Sequence, residues 1–174
     1  MVSETDKTAS RDTFQHAPSR GELQHALREA GAFVFYGPGA FMAHIAPDAV
    51  AALDLSSLGM AVLLDRSSND DHTREQAYLD NRKQGEVLAL ERPHAAASLM
   101  LARGARCVVL PRAAWAVDAQ FGALQTLMPK LLAQGGPGAA KVVAAFEEEV
   151  AARAPASFLE AHMLVYGLPH AAAN

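Results

Sequence analysis

The chain predicts an α/β domain: a three-layer sandwich with a mixed, partly parallel sheet, built from a β-hairpin and a β-α-β-α-β unit, with a helical C-terminal third. Short apolar runs alternate with helix-forming stretches between Met60 and Leu110, a pattern that implies parallel strands joined by crossovers. Those runs are nearly continuous in apolar residues, as strands covered on both faces are. Two aromatic, apolar runs also flank Gly37-Pro38-Gly39, which is a hairpin signal.

The elements follow in order. Residues 1–18 are rich in Ser, Thr, Asp and Lys without periodicity and read as a mobile leader before one domain over 19–170. Ser19-Arg-Gly-Glu22 has capping-box spacing, in which the hydroxyl and the carboxylate each satisfy a free backbone N–H. Leu23, Ala26, Leu27 and Ala30 then form one apolar helix stripe, and Gly31 suits the position just past its end. Ala32–Tyr36 and Phe41–Ile45 are the expected hairpin strands. The glycines between them lack the GxGxxG spacing of a phosphate loop. Pro47 opens a short helix to Leu53.

The parallel unit then reads strand 60–64, a polar helix from about Asp71 closed by Gly85, strand 87–90, a helix from Pro93 through Leu101 closed by Gly104, and strand 106–110. One long helix over 86–103 is the competing reading, and Pro93 opposes it at about 3 kcal/mol for a helix interior. The helix from Asp71 buries too little to be a core element; it can be a solvated crossover, a lid or a subunit contact.

Trp115, Phe121, Leu124, Met128 and Leu131 make a core-facing stripe, with Pro129 expected to kink or end that helix. A helix over 139–153 buries Val142, Val143, Phe146 and Val150 and turns Glu147, Glu148 and Glu149 to water. Pro155 opens a last helix with Phe158, Leu159, His162 and Met163 inward, ending at Tyr166-Gly167. His44 and His162 read as core histidines.

Composition narrows the function. A chain of 174 residues fits one domain. A net charge of −4 does not favour nucleic acid as a partner. No apolar run approaches the roughly 20 residues that span a bilayer, and the N-terminus lacks the apolar segment of a secretory signal, so a cytoplasmic protein with no membrane partner is expected. Cys107 is the single cysteine, which excludes an internal disulfide and a cysteine zinc cage; inside an apolar run it reads as a small buried hydrophobe.

The candidate site is the carboxyl edge of the parallel strands, where open α/β sheets hold ligands. Arg66, Arg92 and Arg112 each lie two residues past an apolar run, and Ser67, Ser68 and His94 add donors beside helix starts that favour anions. The set fits a phosphate- or carboxylate-bearing small molecule. Each arginine equally has a local acid within reach, Asp65 or Glu91, or open water.

Asp65, Asp70, Asp71 and His72 offer hard ligands for Mg²⁺ or Mn²⁺, but Ser68 to Asp71 also suit helix capping, and no metal is assigned. If the protein is an enzyme, His94 or His72 is the proton carrier and Asp65 the base; no HExxH and no G-x-S-x-G marks a reaction, and no cofactor is indicated. The alternative is a non-catalytic interaction or homodimerisation module, a subunit of a larger complex, using the apolar segment Phe33 to Ile45 and the Ala-rich C-terminal helices.

Overall fold

The computed structural model describes residues 18–37, 39–65, 74, 77, 78, 81, 85, 92–133, 138–153 and 162–168. The elements are α1 (Arg20–Glu29), β1 (Ala32–Tyr36), α2 (Phe41–His44), α3 (Pro47–Ala51), β2 (Met60–Leu64), α4 (Pro93–Ala102), β3 (Cys107–Pro111), α5 (Val117–Leu131), α6 (Ala139–Arg153) and β4 (Met163–Gly167). The strands form one mixed sheet of order β1-β2-β3-β4, parallel from β1 to β3 and antiparallel at β4.

Alternation along the strands divides the core in two. Phe33, Phe35, Ala61, Leu63, Val108 and Leu110 pack with residues of α1 to α4. Met60, Val62, Leu64, Cys107 and Val109 pack instead with Trp115, α5 and α6. Both clusters draw on β2 and β3, whose ten residues are all buried, which explains their unbroken apolar sequence. The capping box forms as expected: Glu22 N–H donates to Ser19 Oγ at 3.3 Å, and Ser19 N–H to Glu22 Oε2 at 2.7 Å.

Two expected elements are replaced. The hairpin over 32–45 does not form. β1 pairs in parallel with β2, from Ala32 opposite Met60 to Tyr36 opposite Leu64, and 41–44 is helical. The apolar positions Phe41, Met42 and Ile45 are spaced for one face of a helical turn, not for a strand, and all three are buried. Gly39, at φ 80°, supplies the left-handed residue that turns the chain into α2.

The last helix is the second correction. Residues 154–161 lie outside the described set, and 163–167 is the strand β4. Its Met163 and Val165 join one cluster and Leu164 and Tyr166 the other, the two-residue period of a strand. The expected strand 87–90 and the expected helix from Asp71 also fall largely or wholly outside the described residues. β2 and β3 are direct neighbours, with Ala61 opposite Val108 and Val62 opposite Val109.

Among the described residues no helix is long and apolar enough to cross a membrane. Pro129 sits in the final turn of α5, which stops at Leu131.

Candidate functional site

Because β1, β2 and β3 are parallel, Gly37, Asp65 and Arg112 leave the sheet at one edge. Asp65 stands three residues past Val62 and Arg112 three past Val109, so the two follow neighbouring strands in register. Asp65 is 2% exposed, and its Oδ2 accepts the Phe41 N–H at 2.9 Å. Ala40, the residue before α2, has no capping side chain, and Asp65 supplies that function from another strand. Gly37 N–H donates to the Leu64 carbonyl at 3.4 Å beside it. The candidate base is therefore a clamp between the end of β2 and the turn after β1. Asp65→Ala leaves the buried Phe41 N–H without its acceptor and costs about 1–3 kcal/mol, read from a urea midpoint; Asp65→Asn retains an acceptor and costs less.

Of the other expected site residues, Arg92, His94 and Arg112 are among the described ones. Arg92 is exposed at the N-cap of α4, where its carbonyl accepts from Ala95 and Ala96 N–H at 2.9 and 3.0 Å. His94 is exposed in the first turn of that helix, and Arg112 is exposed, its N–H donating to the His162 carbonyl at 2.8 Å. Among the described residues no ion pair joins Arg92, His94 and Arg112 to one another or to an acid. Arg66, Ser67, Ser68, Asp70, Asp71 and His72 lie outside the described residues. Nor does any group of three or more His, Cys, Asp or Glu among the described residues form a metal-binding cluster.

Two acidic and histidine expectations change. Glu147 does not face water: its Oε1 accepts the Met163 N–H at 2.8 Å and lies 3.4 Å from His162 Nδ1, tying α6 to the start of β4. His44 is an exposed residue of α2 with its ring 5.2 Å from that of Phe35, and His162 is half-buried. Cys107 is buried as expected, and burial pushes its thiol up to about 11, so it is neutral and unreactive at pH 7.

Exposed apolar side chains give the second candidate site, part of which lies in the segment Phe33 to Ile45 that the sequence offers as an interaction surface. Val34 and Tyr36 are 37% and 43% exposed. They stand opposite Val62 and Leu64, so they share the sheet face that α5 and α6 cover elsewhere. On α5, Phe121 is 54% exposed, contrary to its expected place in the core stripe. Lys130 Nζ meets Glu149 Oε2 of α6 at 3.4 Å, which fixes the α6 side of α5. Phe121 precedes Lys130 by nine residues, two and a half turns, and so lies on the opposite flank. Half-buried Met128 and exposed Leu132 fall within about 20° of Phe121 on the helix circumference. α6 packs on β4 at one end of the sheet and on α5, whose apolar flank lies on the side away from α6. The alternation in Ala32-Phe-Val-Phe-Tyr36 gives that strand two apolar faces whichever partner it takes; the exposed flank at Phe121 had no such signal.

No protein-family model matches the chain. Over 81 residues, 47% of its length, the chain is 42% identical to cilia- and flagella-associated protein 46 of Chlamydomonas reinhardtii. The match spans 3% of that relative's length.

Proposed function

We propose that the chain is a protein-interaction module, a subunit of a larger assembly, and that it docks through β1, the edge strand among the described residues, and its exposed side chains. The observation that carries this reading is that an edge strand of a four-stranded sheet exposes Val34 and Tyr36 and carries no charge. Natural edge strands are commonly protected by Lys, Pro or a bulge; an unprotected apolar edge is a template for pairing. The relative's name associates that protein with cilia and flagella, a setting compatible with a subunit role. In this reading the two core clusters are the interfaces of a three-layer sandwich, with the docking edge at its side, in a cytoplasmic protein.

Anion capture at the carboxyl edge has less support. It draws on Arg92, His94 and Arg112, three exposed side chains that no ion pair among the described residues gathers. Asp65, the expected base, instead holds the Phe41 N–H.

A photo-reactive phenylalanine analogue at Tyr36, introduced in cells, tests the docking reading. We expect protein adducts from position 36 that are lost when Val34→Lys is added. The same probe at Ser98, an exposed residue of α4, yields few. Equal labelling from positions 36 and 98 overturns the reading.

A further inference from the structure

We propose that the occupant of this edge is a second copy of the chain, whose β1 pairs antiparallel with the first about a two-fold axis through Val34; this rests on the docking reading above. The backbone directs it. The Gly31 carbonyl accepts from Gly59 and Met60 N–H, and Gly37 N–H donates to Leu64, so the odd residues of β1 bond toward β2. A strand alternates, so Ala32, Val34 and Tyr36 present their N–H and C=O outward. These three positions are symmetric about Val34. Antiparallel pairing centred there sets Val34 against Val34 of the second copy and Ala32 against its Tyr36. Each outward pair exchanges both backbone bonds, about six in all over three pairs.

Side chains satisfy the same axis. A closed two-fold interface must be self-complementary, and Phe33-Val34-Phe35 reads the same in both directions. On the inner face, Phe33 meets Phe35 of the second copy. On the outer face, large Tyr36 meets small Ala32, leaving room for each ring. No Asp, Glu, Lys, Arg or His occurs from Ala30 to Ala43, so no like charges oppose each other across the axis. A stable interface buries about 1,600 Å² in total, more than two short strands supply. The exposed side chains of Val34 and Tyr36 and the Phe121 flank of α5 offer additional apolar surface.

Light scattering on the purified chain gives a mass twice 18.4 kDa, and Val34→Lys or Tyr36→Lys halves it with an unchanged circular dichroism spectrum. Val34→Cys joins to itself through a short bismaleimide, while Ser98→Cys does not; the buried Cys107 stays unmodified. A monomeric wild-type mass, or a dimer that persists in both lysine variants, overturns the second copy. A monomer whose position-36 probe still labels another protein overturns the second copy alone and leaves the docking reading standing. A monomer with no specific label at position 36 removes both.

Discussion

Phe41→Ala lowers the unfolding free energy by about 3–5 kcal/mol, the range for removing a large side chain from a packed core. Phe41 is fully buried on a four-residue helix. Its ring meets Phe33 and Phe35 edge-on, with centroids 5.8 and 5.2 Å apart. Each aromatic pair adds about 0.5–1.5 kcal/mol beyond buried area, so the value falls toward the upper end of the range. Collapse into the cavity is restrained, because Phe33 and Phe35 are fixed by the register of β1 on β2 and the Phe41 N–H is fixed by Asp65. Urea denaturation with an unchanged slope and a lowered midpoint is the expected record. Phe41→Leu, which retains most of the volume, costs less than half as much. A loss below 1 kcal/mol for the alanine variant shows that α2 does not dock on this face.

What the sequence disclosed depended on the range over which each signal acts. The capping box at Ser19 and Glu22 is local, and it appeared as read. So did the strand runs at 60–64 and near 107–111, whose continuous apolarity reports burial on both faces whatever their partners. Pro93 sits at the first turn of its helix, as its missing N–H requires. Pairing is not local. Ala32–Tyr36 carries the same alternation beside a hairpin partner or beside β2, and within residues 32 to 45 only the helical spacing of Phe41, Met42 and Ile45 opposes the hairpin. β4 was missed for a related reason: Met163–Gly167 is short, and its partner is set by β3, more than fifty residues earlier.

The site divides in the same way. The position of Asp65 just past β2 was legible; its burial against Phe41 N–H, 24 residues back, was not. The flank occupied by Phe121 depends on where α6 packs, and helical periodicity assigns only a face, not the neighbour that covers it.

Gly167→Ala is expected to cost about 2–5 kcal/mol, from two separate sources. Gly167 holds φ at 90°, a region that disfavours any L side chain by about 1–2 kcal/mol. An added Cβ would also run into the Arg106 carbonyl oxygen and come within 2.7 Å of Leu101 Cδ2. The leucine can rotate away. The carbonyl cannot readily move, because it accepts the Leu168 N–H at 2.8 Å while Arg106 N–H donates to Leu58 at 3.0 Å. Overpacking of this kind adds about 1–3 kcal/mol. Gly104→Ala has φ 107° but meets the Ser56 backbone only at 3.0–3.1 Å, so it costs less. Gly122→Ala serves as the opposite control: it lies inside α5 with nothing within 4 Å of the new carbon, and it stabilises by about 0.5–1 kcal/mol. Thermal midpoints should fall most for position 167, less for 104, and rise for 122, with amide exchange across Met163–Gly167 accelerating in the first variant alone. Tolerance of alanine at 167 would mean that β4 does not close onto β3 as the register states, since only that pairing brings the Arg106 carbonyl to the glycine.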